Sequence, residues 1–171
     1  MKNQRKLFTL ALILLCVSCD LASARPAQPQ ISGAAVSLLK PKKDGQIDCM
    51  PDANDIYRCP VSGEVTGISQ GQRLLLWVQP VNPPAERDGW YLQRRIVSQS
   101  GGRWSGTVQV GNADYPPHTG DIVNVAVSIA DEAIAEKLMS TRGVVVQPEP
   151  VGATNTIVIS DNVRIHAKNG H

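Results

Sequence analysis

The sequence predicts an all-β fold, an antiparallel β-sandwich of about seven short strands with one inserted helix. Two observations predict this class. Beyond residue 33 the chain consists of short apolar segments, rich in Val, Ile and Leu, which Gly, Pro, Asn and Asp separate at regular spacing. A single stretch, Asp131 to Met139, breaks that pattern with helical spacing instead.

The early strands alternate or end at turn residues. Ala35 to Leu39 predicts the first strand, which Pro41 ends. Tyr57 to Thr66 partly alternates, which places Cys59, Val61 and Val65 on one face. Leu74 to Val78 is a continuous apolar run, typical of a central strand buried on both faces.

The later strands follow the same logic. Trp90 to Gln93 begins a strand directed toward Val97, and Arg103 to Val110 alternates after a Gly-Gly turn. Asp121 to Ala130 predicts another strand, preceded by the Pro-containing loop Gly111 to Gly120. Two further candidate strands lie near the C-terminus, at Val144 to Val146 and Thr156 to Ile159.

The sequence predicts the N-terminal cap, the apolar face and the C-terminal end of the helix. Ser128 or Asp131 is expected to cap its N-terminus. Ile134 and Leu138 lie one turn apart and form its apolar face, and Gly143 follows its C-terminus.

The N-terminal segment has the pattern of an export signal. Lys2, Arg5 and Lys6 precede an apolar run from Leu7 to Val17, which is shorter than the roughly 20 residues needed to span a bilayer. We therefore expect the protein to be exported, and to be periplasmic, membrane-anchored or secreted.

Two cleavage sites follow the apolar run, and both remain open. Ala22-Ser23-Ala24 fits general signal peptidase, which would leave Arg25 as the first residue. Val17-Ser18-Cys19 resembles the lipobox of bacterial lipoproteins, in which the cysteine carries the acyl chains; Cys16 stands where that family usually has Leu. Cys19 is therefore the candidate lipid anchor to a membrane.

These sites define the expected domain organisation. Residues 1–24 form the signal peptide, or residues 1–18 if Cys19 is acylated. Residues 25–33 contain Pro26 and Pro29 among small and polar residues and read as a flexible tether. Residues 34–165 form the single domain, and residues 166–171 form a tail.

Net charge and cysteine content both change when the signal is removed. The 17 basic and 15 acidic residues of the full chain become 14 of each beyond Ala24, and this neutrality argues against nucleic acid and broad anionic membranes as partners. Cys49 and Cys59 are then the remaining thiols, and in an oxidising compartment we expect them to form a disulfide. Metal ligation is the alternative, although all three His are distant in sequence.

From Val61 to Met139 the chain resembles an immunoglobulin-like module of bacterial envelope and membrane-associated proteins. The resemblance rests on the order of Val61-Ser62-Gly63, Leu76-Trp77-Val78-Gln79-Pro80, Trp90-Tyr91 and Gly102-Arg103-Trp104-Ser105, followed by Val123 to Ala130. It implies a sandwich fold and an extracytoplasmic setting. It supplies no catalytic residues, and it does not account for Cys49 and Cys59.

The sequence contains few residue patterns that indicate catalysis or ligand binding. Neither a Gly-x-Ser-x-Gly elbow nor a phosphate-binding Gly-Lys-Ser/Thr loop occurs in the sequence, so we expect no enzyme, no cofactor and no metal. Four residues near Cys49 could ligate calcium but read better as a solvated loop: Asp48, Asp52, Asn54 and Asp55. The basic clusters Arg94-Arg95 and Lys40-Lys42-Lys43 read as charged strand edges.

The candidate binding residues lie in two loops, Asn82 to Trp90 and Gly111 to Gly120. Trp77 and Trp104 are expected in the core, whereas Trp90 follows a polar turn and is expected to be exposed. Together with Tyr115 and His118 it is a candidate contact for a protein or glycan partner in the cell envelope. A secreted factor, or an accessory subunit or weak hydrolase that uses His118, is the alternative.

Overall fold

The structure, a computed structural model, describes residues 33–81, 88–93, 98–153 and 156–168. The described residues form ten strands and one helix, which confirms the all-β prediction. In chain order these are β1 (Ala35–Lys40), β2 (Gln46–Pro51), β3 (Tyr57–Thr66), β4 (Gln72–Pro80), β5 (Trp90–Gln93), β6 (Ser98–Ser100), β7 (Arg103–Gly111), β8 (Ile122–Asp131), α1 (Glu132–Ser140), β9 (Val146–Gln147) and β10 (Val158–Ala167).

Hydrogen bonds join the strands into one mixed sheet with the order β6-β7-β3-β2-β10-β8-β4-β5-β9, and β1 pairs with β3. Strand β2 is the joint of this sheet. Its C-terminal residues pair antiparallel with β3, and its segment from Gln46 to Cys49 pairs parallel with β10. We call β1, β3, β7 and β6 the β3 arm, and β10, β8, β4, β5 and β9 the β8 arm.

Side chains from both arms form a first hydrophobic cluster. The β3 arm contributes Val61, Val65, Trp104 and Val108, and the β8 arm contributes Leu74, Leu76 and Val78 from β4 and alternate residues of β8 and β10. Because successive strand residues point to opposite faces, Leu75 and Trp77 of β4 project away from this cluster.

A second cluster lies on the outer face of the β8 arm beneath α1. Its members are Leu75, Trp77, Trp90, Leu92, Ala126, Ala130, Ala135 and Val145. The buried polar groups at this face are satisfied: Trp77 Nε1 donates to Ser128 Oγ at 3.0 Å, and Ser128 Oγ donates to the Val151 carbonyl at 2.6 Å. Strand β4 is therefore buried on both faces, as its continuous apolar run predicts.

Helix α1 differs from the prediction in its cap and its face. Asp131 occupies the N-cap position without a side-chain hydrogen bond, and the Glu132 N–H donates to the Gly71 carbonyl instead. Ser128 lies buried in β8 and caps nothing. Ala135 faces the sheet with Leu138 and Met139 beside it, while Ile134 is exposed, because the helix axis turns a different stripe toward β4 and β8.

Three further features depart from the sequence prediction. The strand count is ten within the described residues: the expected strands do not include β2 or β6, and β9 overlaps the expected strand Val144 to Val146 only at Val146. The sheet contains a parallel pair, β2 with β10, so it is mixed and not wholly antiparallel. Strand β10 continues through Ala167, beyond the expected domain boundary at residue 165.

Candidate binding surface

The candidate surface is one end of the sheet, which we call the loop end. It comprises the turn 52–56 between β2 and β3, the loop 112–121 between β7 and β8, and the end of β10 with Lys168. These segments meet because β3 begins, β7 ends and β8 begins at this end of the sheet, as the register of Tyr57 with Gly111 shows.

A disulfide closes the hairpin of β2 and β3. Cys49 and Cys59 are fully buried and bonded, which confirms the predicted pairing. Because they lie on adjacent antiparallel strands, the bond clamps the hairpin just before its turn. The 52–56 turn is thus held at its base by a covalent link.

Asp52 organises the turn itself. Its carboxylate accepts hydrogen bonds from the Asn54 and Ile56 N–H groups at 2.9 and 3.2 Å, and from Arg58 Nε at 2.6 Å. These hydrogen bonds hold the pKa of Asp52 below its ordinary value, and the bond from Arg58 has the largest effect. Across residues 33–81, 88–93, 98–153 and 156–168, no cluster of three or more His, Cys, Asp or Glu side chains is placed to bind a metal.

The loop 112–121 is tied to the sheet by its backbone. The Gly120 N–H donates to the Ile165 carbonyl at 2.8 Å, and the Tyr115 N–H bonds to the Asn112 side chain at 2.9 Å. The Tyr115 side chain remains 61% exposed. This loop therefore presents an aromatic side chain to solvent from a fixed backbone.

His118 lies in the same loop and is exposed. Its side chain is 84% exposed, and its Nδ1 is 3.7 Å from Asp121 Oδ2. Among the residues that the structure describes, the Asp121 carboxylate is the one side chain that pairs with this imidazole. A general base needs a nucleophile within hydrogen-bond reach, and the contacts of His118 to the described residues include none.

A second histidine forms a cluster that the sequence analysis missed. His166 Nδ1 lies 2.9 Å from Asp48 Oδ1, and Lys168 Nζ lies 2.8 Å from Asp48 Oδ2. The hydrogen bonds from Lys168 and then His166 lower the pKa of Asp48. The alternation Val163-Arg164-Ile165-His166 is a strand signal that would have placed His166 in β10 rather than in a tail.

Trp90 does not belong to this surface. It is 6% exposed and packs in the second cluster, so the expectation of an exposed Trp90 is wrong. The polar turn before it led to that expectation, but β5 pairs with both β4 and β9, which encloses the indole. Trp77 and Trp104 lie in the core as predicted.

Several predicted sites lie outside the described residues. These are the signal segment with Cys19, residues 82–87 of the loop before Trp90, and Arg94-Arg95. None of the described helices is long and apolar enough to cross a membrane.

Comparison with known proteins identified no family model that matches the chain and no significant match among curated proteins.

Proposed function

We propose that this chain is an exported, non-catalytic immunoglobulin-like module of the bacterial cell envelope that binds a protein or glycan partner through its loop end. It is tethered to a membrane through Cys19 when that residue is acylated.

The strand order supports the immunoglobulin-like assignment. Variable-type immunoglobulin domains place strands A, B, E and D in one sheet and A′, G, F, C and C′ in the other. The β3 arm has the order β1-β3-β7-β6, and the β8 arm read from β2 has the order β2-β10-β8-β4-β5. When the strands are lettered in chain order, β1 and β2 are A and A′, β3 to β8 are B, C, C′, D, E and F, and β10 is G, with β9 left without a letter. This lettering reproduces both orders.

The chain also departs from antibody domains. Its disulfide joins β2 to β3, the A′ and B strands, whereas the antibody disulfide joins B and F, and Trp77 of β4 points toward α1 rather than between the arms. The insertion of α1 and β9 before β10 covers the outer face of the β8 arm. The proposal therefore concerns an immunoglobulin-like topology with its own covalent link.

Export is supported by two independent features. The N-terminal segment has the basic, apolar and small-residue order of a signal. The buried Cys49–Cys59 disulfide belongs to proteins of oxidising compartments.

The observation that carries the binding proposal is the exposed Tyr115 on a loop whose backbone is fixed to β10. Tyrosine offers a large amphipathic contact area and loses little conformational entropy on binding. The adjacent hairpin, clamped by its disulfide, extends the rigid surface. Such preorganisation lowers the ordering cost that binding must overcome.

Photo-crosslinking in cells tests the binding proposal. A photoreactive amino acid at position 115 should capture one defined envelope protein or glycan, because the partner contacts that loop. The matched control is position 69, where Ser69 is exposed in the turn at the opposite end of β3. Equal capture at both positions, or capture at neither, would contradict a binding role for the loop end.

Intact-mass analysis tests the tether. A mass that begins at Cys19 with added acyl chains supports the lipoprotein form. A mass that begins at Arg25 without lipid replaces it with a soluble exported protein and favours the secreted alternative.

A further inference from the structure

The connection between β1 and β2 forms a basic corner at the edge of the molecule. We use this name for Leu39, Lys40, Lys42, Lys43 and, from the adjacent β10, Arg164. All five side chains are exposed, and Leu39 is 49% exposed. Arg164 belongs to the corner because its N–H donates to the Gly45 carbonyl at 2.8 Å.

The backbone of the corner is held from several sides. Pro41 is buried, and its carbonyl accepts a hydrogen bond from Ser160 Oγ at 3.0 Å. The Asp44 N–H donates to the Asp161 carbonyl at 3.0 Å, and the Gly45 N–H donates to the Lys42 carbonyl at 2.9 Å. The lysines are therefore displayed from a fixed turn rather than from a loose loop.

Among the described residues, no ion pair neutralises the positive charge of the corner. Within the described part of the chain, Lys40, Lys42, Lys43 and Arg164 form no salt bridge. Asp44 and Asp161 lie in the same two segments, which thus carry four cationic side chains and two carboxylates. Exposed charges act over about 8 Å at physiological salt, so this local excess persists although the mature chain is neutral overall.

The corner also lies on the strand that follows the tether. Strand β1 has six residues, so at about 3.3 Å per residue the corner is roughly 20 Å from the start of the described chain at Gly33. The 14 residues from Asp20 to Gly33 extend at most about 50 Å. A chain acylated at Cys19 therefore keeps the corner within reach of the bilayer surface.

We propose that the basic corner contacts the anionic phospholipid headgroups of the membrane to which the chain is tethered, with Leu39 entering the interface and β1 lying along it. This inference rests on the proposed export and tethering. Lysines near an anionic surface each add a modest attraction, and a tether raises the local concentration enough for such weak contacts to persist.

A bilayer fits the corner better than an acidic protein does. A lipid surface needs only unpaired cations and an apolar side chain at one exposed edge, which the corner supplies. An acidic protein would need a shaped contact of much larger area.

Vesicle sedimentation tests the inference with an unacylated chain that begins at Arg25. Every member of both hydrophobic clusters lies between Ala34 and Ile165, so this chain retains the whole core. At low salt it should bind vesicles of equal phosphatidylglycerol and phosphatidylcholine several-fold more than pure phosphatidylcholine vesicles. The double variant Lys42→Ala/Lys43→Ala should lose roughly thirtyfold in partitioning, and Leu39→Ser should lose partitioning even at low salt.

The matched control is Lys137→Ala/Arg142→Ala, which removes the same charge from exposed residues at the end of α1. It should leave partitioning within about twofold of the parent. Equal binding to both vesicle types, or equal losses from the two double variants, would overturn the inference. Binding of a polyglutamate peptide without vesicle binding would overturn it in favour of an acidic protein, and displacement by inorganic phosphate in favour of a free anion.

The lipid tether and the membrane contact of the basic corner are tested independently of each other. If intact-mass analysis finds no acyl chain while the vesicle test succeeds, the tether is refuted and the corner stands as a membrane contact by itself. If the mass shows acylation and the vesicles are not bound, the corner alone is refuted.

Discussion

Exposed and buried aromatic residues near the two candidate loops differ in what they contribute. Trp90 is enclosed by β5, β4 and β9 in the second cluster, whereas Tyr115 stands in solvent on the loop end. An aromatic ring in a packed cluster stabilises the fold, and one in solvent is available to a partner.

Trp90→Ala is expected to lower the free energy of unfolding by about 3–5 kcal/mol, because it removes a buried indole and leaves a cavity. Urea denaturation measures this. Val144→Ala, at a residue that is 73% exposed, is the control and should change the free energy of unfolding by no more than about 0.5 kcal/mol. A Trp90→Ala variant as stable as the parent would mean that the second cluster is not packed as described.

Asp52 is expected to give the hairpin a pH-dependent stability. Arg58, followed by the backbone N–H groups of Asn54 and Ile56, holds the pKa of the folded state below the ordinary 3.8. The contribution is therefore present in full above pH 3.8 and is lost as the pH falls below that value through the folded-state pKa.

Urea denaturation of the parent and Asp52→Asn across a pH series measures this effect. The variant should be less stable than the parent at neutral pH, and the difference should shrink below pH 3.8. Asp55→Asn, at an exposed residue of the same turn, should stay within about 0.5 kcal/mol of the parent at pH 7. A difference that is independent of pH would mean that the carboxylate charge is not what Asp52 contributes.

At the scale of elements, the β2–β3 hairpin is the unit that the disulfide stabilises. The bond closes a loop whose ends are ten residues apart in sequence. In the chain-entropy model, such a loop restricts the unfolded state by about 2–3 kcal/mol. Since the cysteines are also fully buried, the bond packs within the first cluster.

The variant Cys49→Ala/Cys59→Ala should therefore lose about 2–3 kcal/mol of stability. Amide hydrogen exchange in the 52–56 turn should accelerate by more than the exchange in the central strand β8, because the hairpin opens locally. Uniform acceleration across both elements would show that the bond acts on global stability alone.

Four of the five strands with nine or ten residues were predicted from their own sequence pattern, and β10 was predicted only in part. Strands β3, β4, β7 and β8 have nine or ten residues, and their alternation or continuous apolar character is visible in the sequence. Strand β9 has two residues and β6 has three, so pairing partners rather than local pattern define them. Strand β10 has ten residues, but its register with β8 shifts between Ser160 and Val163, and this irregularity interrupts its alternation. His166 was therefore assigned to a tail although Val163 to His166 alternate.

At the scale of the whole molecule, the two hydrophobic clusters share strands. Leu74, Leu76 and Val78 of β4 face the first cluster, while Leu75 and Trp77 face the second, and β8 divides in the same way. If β4 or β8 detaches from the sheet, both clusters lose side chains that pack within them. We therefore expect the described domain to unfold as one cooperative unit.

Fluorescence and circular dichroism test this with the variant Trp104→Phe. Its remaining tryptophans, Trp77 and Trp90, both lie in the second cluster, so tryptophan fluorescence then reports that cluster alone. The fluorescence and far-ultraviolet transitions in urea should coincide. A fluorescence transition at lower urea would show that α1 and the outer face separate before the arms do.

The sequence by itself determined the all-β class, the location of the long strands and the helix, the burial of Trp77 and Trp104, and the pairing of Cys49 with Cys59. Each follows from local spacing, or from the small number of available partners. The tertiary structure alone decided the parallel pairing of β2 with β10 and the burial of Trp90. It also decided the contact of Asp48 with His166 and Lys168, and the position of Arg164 beside the lysines of the basic corner. These features depend on which distant strands become neighbours in the sheet. Side-chain periodicity predicts which face of the sheet a residue occupies, but it does not predict which strand lies beside it.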